Sequence, residues 1–252
     1  MYHKKPIAPL IMRYCLVSAC MALCAFFVYF PLTDTDIFWH LAAGREMVLH
    51  KQWLFTDPFS FTLQSPQWID LHWLFQLITY GIYCLGAEKA LIVFKLIVVA
   101  LVAGILCSIH RTRHYAAITA FSTALLLYEA RYLICLRPVL ITMLCMALYV
   151  YLFENTRDKE NKKALWLCIP LQIIWTNSQG LYMIGLFMIG AYWAEAVIDF
   201  FRKKSPRPDF ITVLFASAIL SCLINPYGLR GVALPRSEEH TSELPVTVNN
   251  LV

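Results

Sequence analysis

Long apolar runs recur down this chain, and they constrain its fold more than any single motif does. They lie at 14–32, 88–109, 114–133, 138–153, 164–176, 181–201 and 209–224. A helix needs about 20 apolar residues to cross a bilayer's hydrocarbon core, where every backbone polar group must be satisfied within the protein. The chain is 60% hydrophobic and 15% charged, with a mean hydropathy of +0.61. Together these predict an all-α polytopic membrane protein with about seven transmembrane helices. The runs at 138–153 and 164–176 are short and predict tilted or partly protein-buried helices. The first run leads into acidic residues with no small-residue cleavage site, so it reads as a retained helix, not a signal peptide.

Basic residues set the expected orientation. Lys4, Lys5 and Arg13 precede the first run, and three later clusters follow: Arg111 and Arg113; Arg157, Lys159, Lys162 and Lys163; Arg202, Lys203, Lys204 and Arg207. All fall on the cytoplasmic side only if the short stretch 71–85, interrupted by His72 and Gln76, lies along the interface. The N-terminus is then cytoplasmic, and 33–87 is a long outer first loop. It carries two interfacial amphipathic helices, 36–50 and 68–85, separated by turn signals at Asp57-Pro58 and Ser65-Pro66. The net charge of +5 reads as loop asymmetry. No basic and aromatic array suited to bases is present, so no nucleic-acid partner is expected; the bilayer is the first partner.

The nine cysteines sit almost entirely in apolar runs without a CxxC pair. They read as small apolar fillers, not as a metal site or disulfide framework. The end of the chain is different. Residues 236–244, RSEEHTSEL, resemble the translation of a short-read sequencing adapter, and PVTVNNLV continues it after a one-base slip. The expectation is that 236–252 is a non-native tail, and that 1–235 is the N-terminal part of a longer membrane domain.

Function is expected at the outer ends of the helices. Asp34 and Asp36 follow the first run, and His40 lies one helical turn after Asp36, on the same face. Two readings stand: a carboxylate cluster at a membrane cavity, or a helix start, since Thr33 and Asp36 have capping-box spacing. Asp70 and His72 share that loop. Arg131 and Arg137 bracket the next outer turn, where positive charge is disfavoured and calls for a phosphate or carboxylate partner. Asn177, in Asn177-Ser178-Gln179-Gly180, reads equally as a substrate-binding turn or a helix connection. Lys95 falls roughly 10 Å inside the second span at ~1.5 Å per residue and is expected to snorkel outward. Carboxylates and imidazoles beside arginines suit transfer from a phosphate-linked lipid, one group taking a proton while cations steady the leaving phosphate. No cofactor is evident. A divalent ion at Asp34, Asp36 and His40 is chemically compatible, but no spacing demands one.

The stretches DTDIFWHLAAGREMV, DPFSFT, QWIDLHWLFQ, LRP, WTNSQG and NPYG resemble, in order, a bacterial branch of GT-C-like membrane glycosyltransferases. That class includes protein O-mannosyltransferases and the aminoarabinose transferases of lipid A. The resemblance spans about 31–228. It implies a polyprenyl-phosphate sugar donor, a functional face outside the bacterial inner membrane, and a catalytic or acceptor-binding role for Asp34 or Asp36. His40, Asp70, His72, Lys95, Arg131, Arg137 and Asn177 are the accompanying substrate-binding candidates. The chain has Asp-x-Asp where the mannosyltransferases have adjacent acids, and Gln179 where the branch commonly has His. The alternative is a non-enzymatic membrane protein: a transporter or flippase for lipid-linked glycans, or an envelope-assembly scaffold. A transporter calls for polar or broken-helix features at the midplane, where Lys95 is the clear exception to an otherwise one-sided polar distribution.

Overall fold

The computed structural model describes residues 7–32, 34–59, 68–109, 113–157, 162–203 and 207–233. The expected adapter-derived tail and Thr33 lie outside them. The described residues form an all-α bundle: α1 (Ile7–Phe27), α2 (Asp36–His50), α3 (Trp73–Ile109), α4 (Arg113–Ala130), α5 (Val139–Thr156), α6 (Cys168–Thr176), α7 (Met183–Phe201) and α8 (Asp209–Ser221). Short 3-10 turns occupy Arg131–Leu133, Lys163–Leu167 and Gly180–Tyr182. Three helical segments, Trp73–Ile109, Val139–Thr156 and Gly180–Phe201, are long and apolar enough to cross a membrane. Ile11–Phe27, Lys163–Thr176 and Asp209–Ser221 are apolar but shorter.

Local chemistry explains the boundaries that matter for the site. The Asp34 side chain accepts the N–H of Asp36 at 3.1 Å, so a short acid fixes the start of α2. The helix ends where Lys51 turns left-handed at φ 53°. α3 begins at Trp73, not at 68, and continues into the 88–109 run. At 37 residues it would measure about 55 Å if straight, well beyond a ~30 Å hydrocarbon core. It breaks at Gly86 and Ala87, where Ala87 takes φ 51°. That left-handed conformation is disfavoured for any residue with a Cβ. The expected helix 164–176 is likewise two pieces, a 3-10 turn followed by α6. Pro170 has no N–H to donate back to Trp166 and so cannot continue an α-helix begun earlier.

The break divides α3 into two working limbs. The 73–85 limb carries α2: a Cβ on Gly44 would fall on the Gln76 carbonyl and within 2.8 Å of Tyr80 Cβ. The 88–109 limb carries α1, whose Met21 sulfur would lie 2.7 Å from a Cβ on Gly104. Close crossings over small residues are the usual way helices pack when apolar burial alone cannot drive them together. Across the rest of the bundle, buried polar atoms pair internally. Tyr149 donates to the Cys168 carbonyl at 2.9 Å, and Trp175 Nε1 to Thr142 at 2.9 Å. Phe121, Leu126, Phe187 and Leu220 are left on the outside.

Candidate functional site

Residues singled out between 34 and 72 gather around Arg137 and Gln179. Arg137, just before α5, reaches back 103 residues to the link between α1 and α2. Its Nε donates to Asp34 Oδ2, and Nη2 donates to Asp34 Oδ1 at 3.0 Å. The same Nη2 lies 3.0 Å from Asp36 Oδ2. Two acids of similar appearance in sequence therefore occupy different positions. The Asp34 side chain is 8% exposed, held two-pronged and committed to the start of α2, whereas that of Asp36 is 55% exposed. The Arg137 hydrogen bond holds the Asp34 carboxyl below the usual carboxylate range, against the opposing effect of burial. The Arg137 guanidinium is correspondingly pushed up.

Lys95 does not snorkel. It is fully buried, its Nζ 3.4 Å from the Phe30 carbonyl and 3.6 Å from the centre of the Phe30 ring. The segment leaving α1 supplies both contacts through Phe30. Lys95 and Asp34, with Ile37, Cys135 and Leu136, border the same narrow crevice, which has no room for a water molecule.

A second polar group lies behind this ion cluster. His40, 6% exposed, packs its ring 5.6 Å from that of His72 and 5.3 Å from Phe75. Burial is the main reason the His40 imidazole is lowered to about 3, with the neighbouring His72 adding to it. Asp70 accepts from the His72 backbone N–H at 2.9 Å and from Gln76 Nε2 at 3.1 Å. Desolvation raises its carboxyl above the ordinary value, only partly offset by these bonds. His72 Nε2 meets Gln179 Oε1 at 2.9 Å. Four buried side-chain atoms have no hydrogen-bond partner among the described residues: His40 Nδ1, Asp70 Oδ2, Gln76 Oε1 and Ser178 Oγ. Asp70 and Gln76 are bonded to each other, His40 packs on the His72 ring, and Ser178 directly precedes Gln179; unpaired buried polar atoms mark a strained or functional spot.

Asn177 is buried in the same place but is fully used. Its Oδ1 accepts from Trp73 Nε1 at 2.8 Å, and its Nδ2 donates to the Ile173 and Ile224 carbonyls, both at 2.8 Å. Arg131 is not drawn into the cluster. It donates to the Tyr128 carbonyl at 2.6 Å and stacks over the rings of Tyr128 and Tyr132, 4.0 and 4.4 Å from their centres. Aromatic faces thus take the place of the phosphate or carboxylate expected of it. Sequence reasoning passed over Gln76 and discounted Gln179, although both are polar residues beside a helix end in apolar surroundings. Among the described residues, no group of three or more His, Cys, Asp or Glu side chains is arranged to hold a metal ion.

No family model, curated protein or solved structure matches the chain.

Proposed function

We propose that this chain is part of an integral membrane transferase of GT-C type. It spans the bacterial inner membrane about seven times, with its N-terminus inside. Its reaction moves a sugar from a polyprenyl-phosphate donor to an acceptor at the outer face. The observation that carries this reading is the Asp34–Arg137–Asp36 cluster, assembled across 103 residues of chain beside a fully buried Lys95. Charge gathered at one end of an apolar bundle is costly unless it has work to do. Arg137 and Lys95 supply the positive charge that a departing phosphate needs, and a low-dielectric surround makes that charge effective. Of the two acids, Asp36 is the accessible one, while Asp34 positions Arg137.

The test is transfer of a labelled sugar from polyprenyl phosphate in membranes expressing the protein, beside Asp34→Asn and Asp36→Asn. Transfer abolished by one substitution at unchanged protein level supports the reading and selects the acid. No transfer from a panel of such donors, with both variants folded, rejects it. One observation favours a non-enzymatic scaffold or flippase instead: Asp34 is already engaged in starting α2 and tying it to Arg137. In that case both substitutions lower stability and neither changes any transfer.

A further inference from the structure

The hydrogen-bond geometry around His72 assigns it a role, and this assignment rests on the transferase reading above. Gln179 Oε1 accepts the Gly180 backbone N–H at 2.7 Å, which fixes that atom as the oxygen. The His72 Nε2 that meets it at 2.9 Å must then carry the proton, leaving Nδ1 with a free lone pair in the neutral ring. Asp70 Oδ1 lies 3.9 Å from Nδ1. The His72 side chain is 32% exposed and that of Asp70 1%, so the imidazole can be reached and the carboxylate cannot.

We propose that His72, oriented by Gln179 and backed by Asp70, is the general base of the transfer. The acceptor O–H bond breaks and its proton passes to His72 Nδ1. The acceptor oxygen bonds to the anomeric carbon as the carbon–phosphate oxygen bond breaks. The electron pair leaves on the phosphate, beside Arg137 and Lys95. Asp70 faces the resulting imidazolium through space, and a base–substrate contact of this kind commonly tightens only when substrate is bound. Asp34 is a poor rival, because taking a proton would cost it the two-pronged bond to Arg137. The other titratable groups around His72 are placed consistently with this role. His40 on α2 is buried and neutral, Tyr227 lies near Asp70, and Asp34 and Arg137 act through space on His40.

The experiment is the pH dependence of kcat and KM for the full chain in membranes with a polyprenyl-phosphate sugar. Wild type is expected to show one acid limb. His72→Gln should lower kcat by about 100-fold or more, leave donor KM nearly unchanged and remove that limb. Asp70→Asn should lower kcat while leaving donor KM nearly unchanged, because the imidazolium formed on proton transfer loses the carboxylate 3.9 Å from Nδ1. An active His72→Gln that keeps the limb overturns the assignment while leaving the transferase reading intact. If His72→Gln fails to accumulate, an Asp70→Asn variant with the kcat of wild type overturns it equally. No transfer by wild type from any donor overturns both.

Discussion

Trp73 and Asn177 are joined across 104 residues of chain: the indole N–H donates to the Asn177 side-chain oxygen at 2.8 Å. The adjacent Leu74 N–H meets the Asn177 backbone carbonyl at 3.0 Å. Since Asn177 also holds Ile173 and Ile224, this one side chain ties the start of α3 to α6 and to the exit of α8. The tie sets the position of His72, whose partner Gln179 is two residues further along.

Asn177→Ala is therefore expected to be strongly destabilising. It leaves Trp73 Nε1 and the Ile173 and Ile224 carbonyls without their side-chain partner, at about 0.5–1.5 kcal/mol for each part-buried hydrogen bond lost. Thermal unfolding in detergent should show the drop. Asn177→Asp should fare little better, since its carboxylate can still accept from Trp73 but cannot donate to either carbonyl.

Gly44→Ala should loosen the packing of α2 on α3. The added methyl meets backbone at Gln76 and the Tyr80 Cβ at 2.8 Å, and neither can swing aside. A loss of about 1–3 kcal/mol is expected from such overpacking. Gly81→Ala in α3 is the control, because nothing lies within 4 Å of the added carbon. It should be neutral or slightly stabilising. Equal melting temperatures for the two variants would refute the close crossing.

His40 and Asp70 give stability opposite dependences on pH. His40 has a folded value of about 3, below its ordinary 6.5. Its contribution is fully present above about pH 6.5 and is lost as pH falls toward 3, by an amount on the order of a few kcal/mol. His40→Phe should flatten that acid slope. The Asp70 carboxyl is raised in the fold, so its penalty is absent at low pH and grows as pH rises through the folded value. Asp70→Asn should thus match or exceed wild-type stability at pH 8, with the difference shrinking toward pH 4. Denaturation curves across that range check both signs.

Lys95→Met should separate stability from function. It removes a fully buried ammonium whose contacts are a carbonyl and an aromatic ring. An apolar residue of similar shape there is expected to be neutral or stabilising by ~1–3 kcal/mol. Sugar transfer should fall sharply if the ammonium faces the leaving phosphate. A variant that is both more stable and fully active would remove Lys95 from the site.

Asp34→Asn and Arg137→Gln should be coupled at neutral pH, each costing less in the presence of the other. The Asp34 carboxyl is depressed by Arg137, so its contribution holds above the ordinary carboxylate range and is lost as pH falls through the lower folded value. A double-mutant cycle at pH 7 and again in strong acid measures the coupling and its disappearance.

The all-helical class, the start of α2 at Asp36 and the gathering of polar residues near helix ends could all be read along the chain. They depend on local rules: apolar run length, turn chemistry and the 3.6-residue period. The sequence likewise placed Asp34, Asp36 and His40 within one short stretch. It could not separate Asp34 from Asp36, because the difference comes from Arg137, which approaches from 103 residues away. Nor could it show that Arg131 would turn to two tyrosines while Arg137 turned to two acids. Those choices follow from which side chains the packed helices bring within about 4 Å, where ionic and hydrogen-bonding energies become appreciable. The burial of Lys95, the use of Asn177 as a tie and the tautomer of His72 are of the same kind. Each depends on a partner supplied by another helix or a distant segment, and only the tertiary structure brings that partner close.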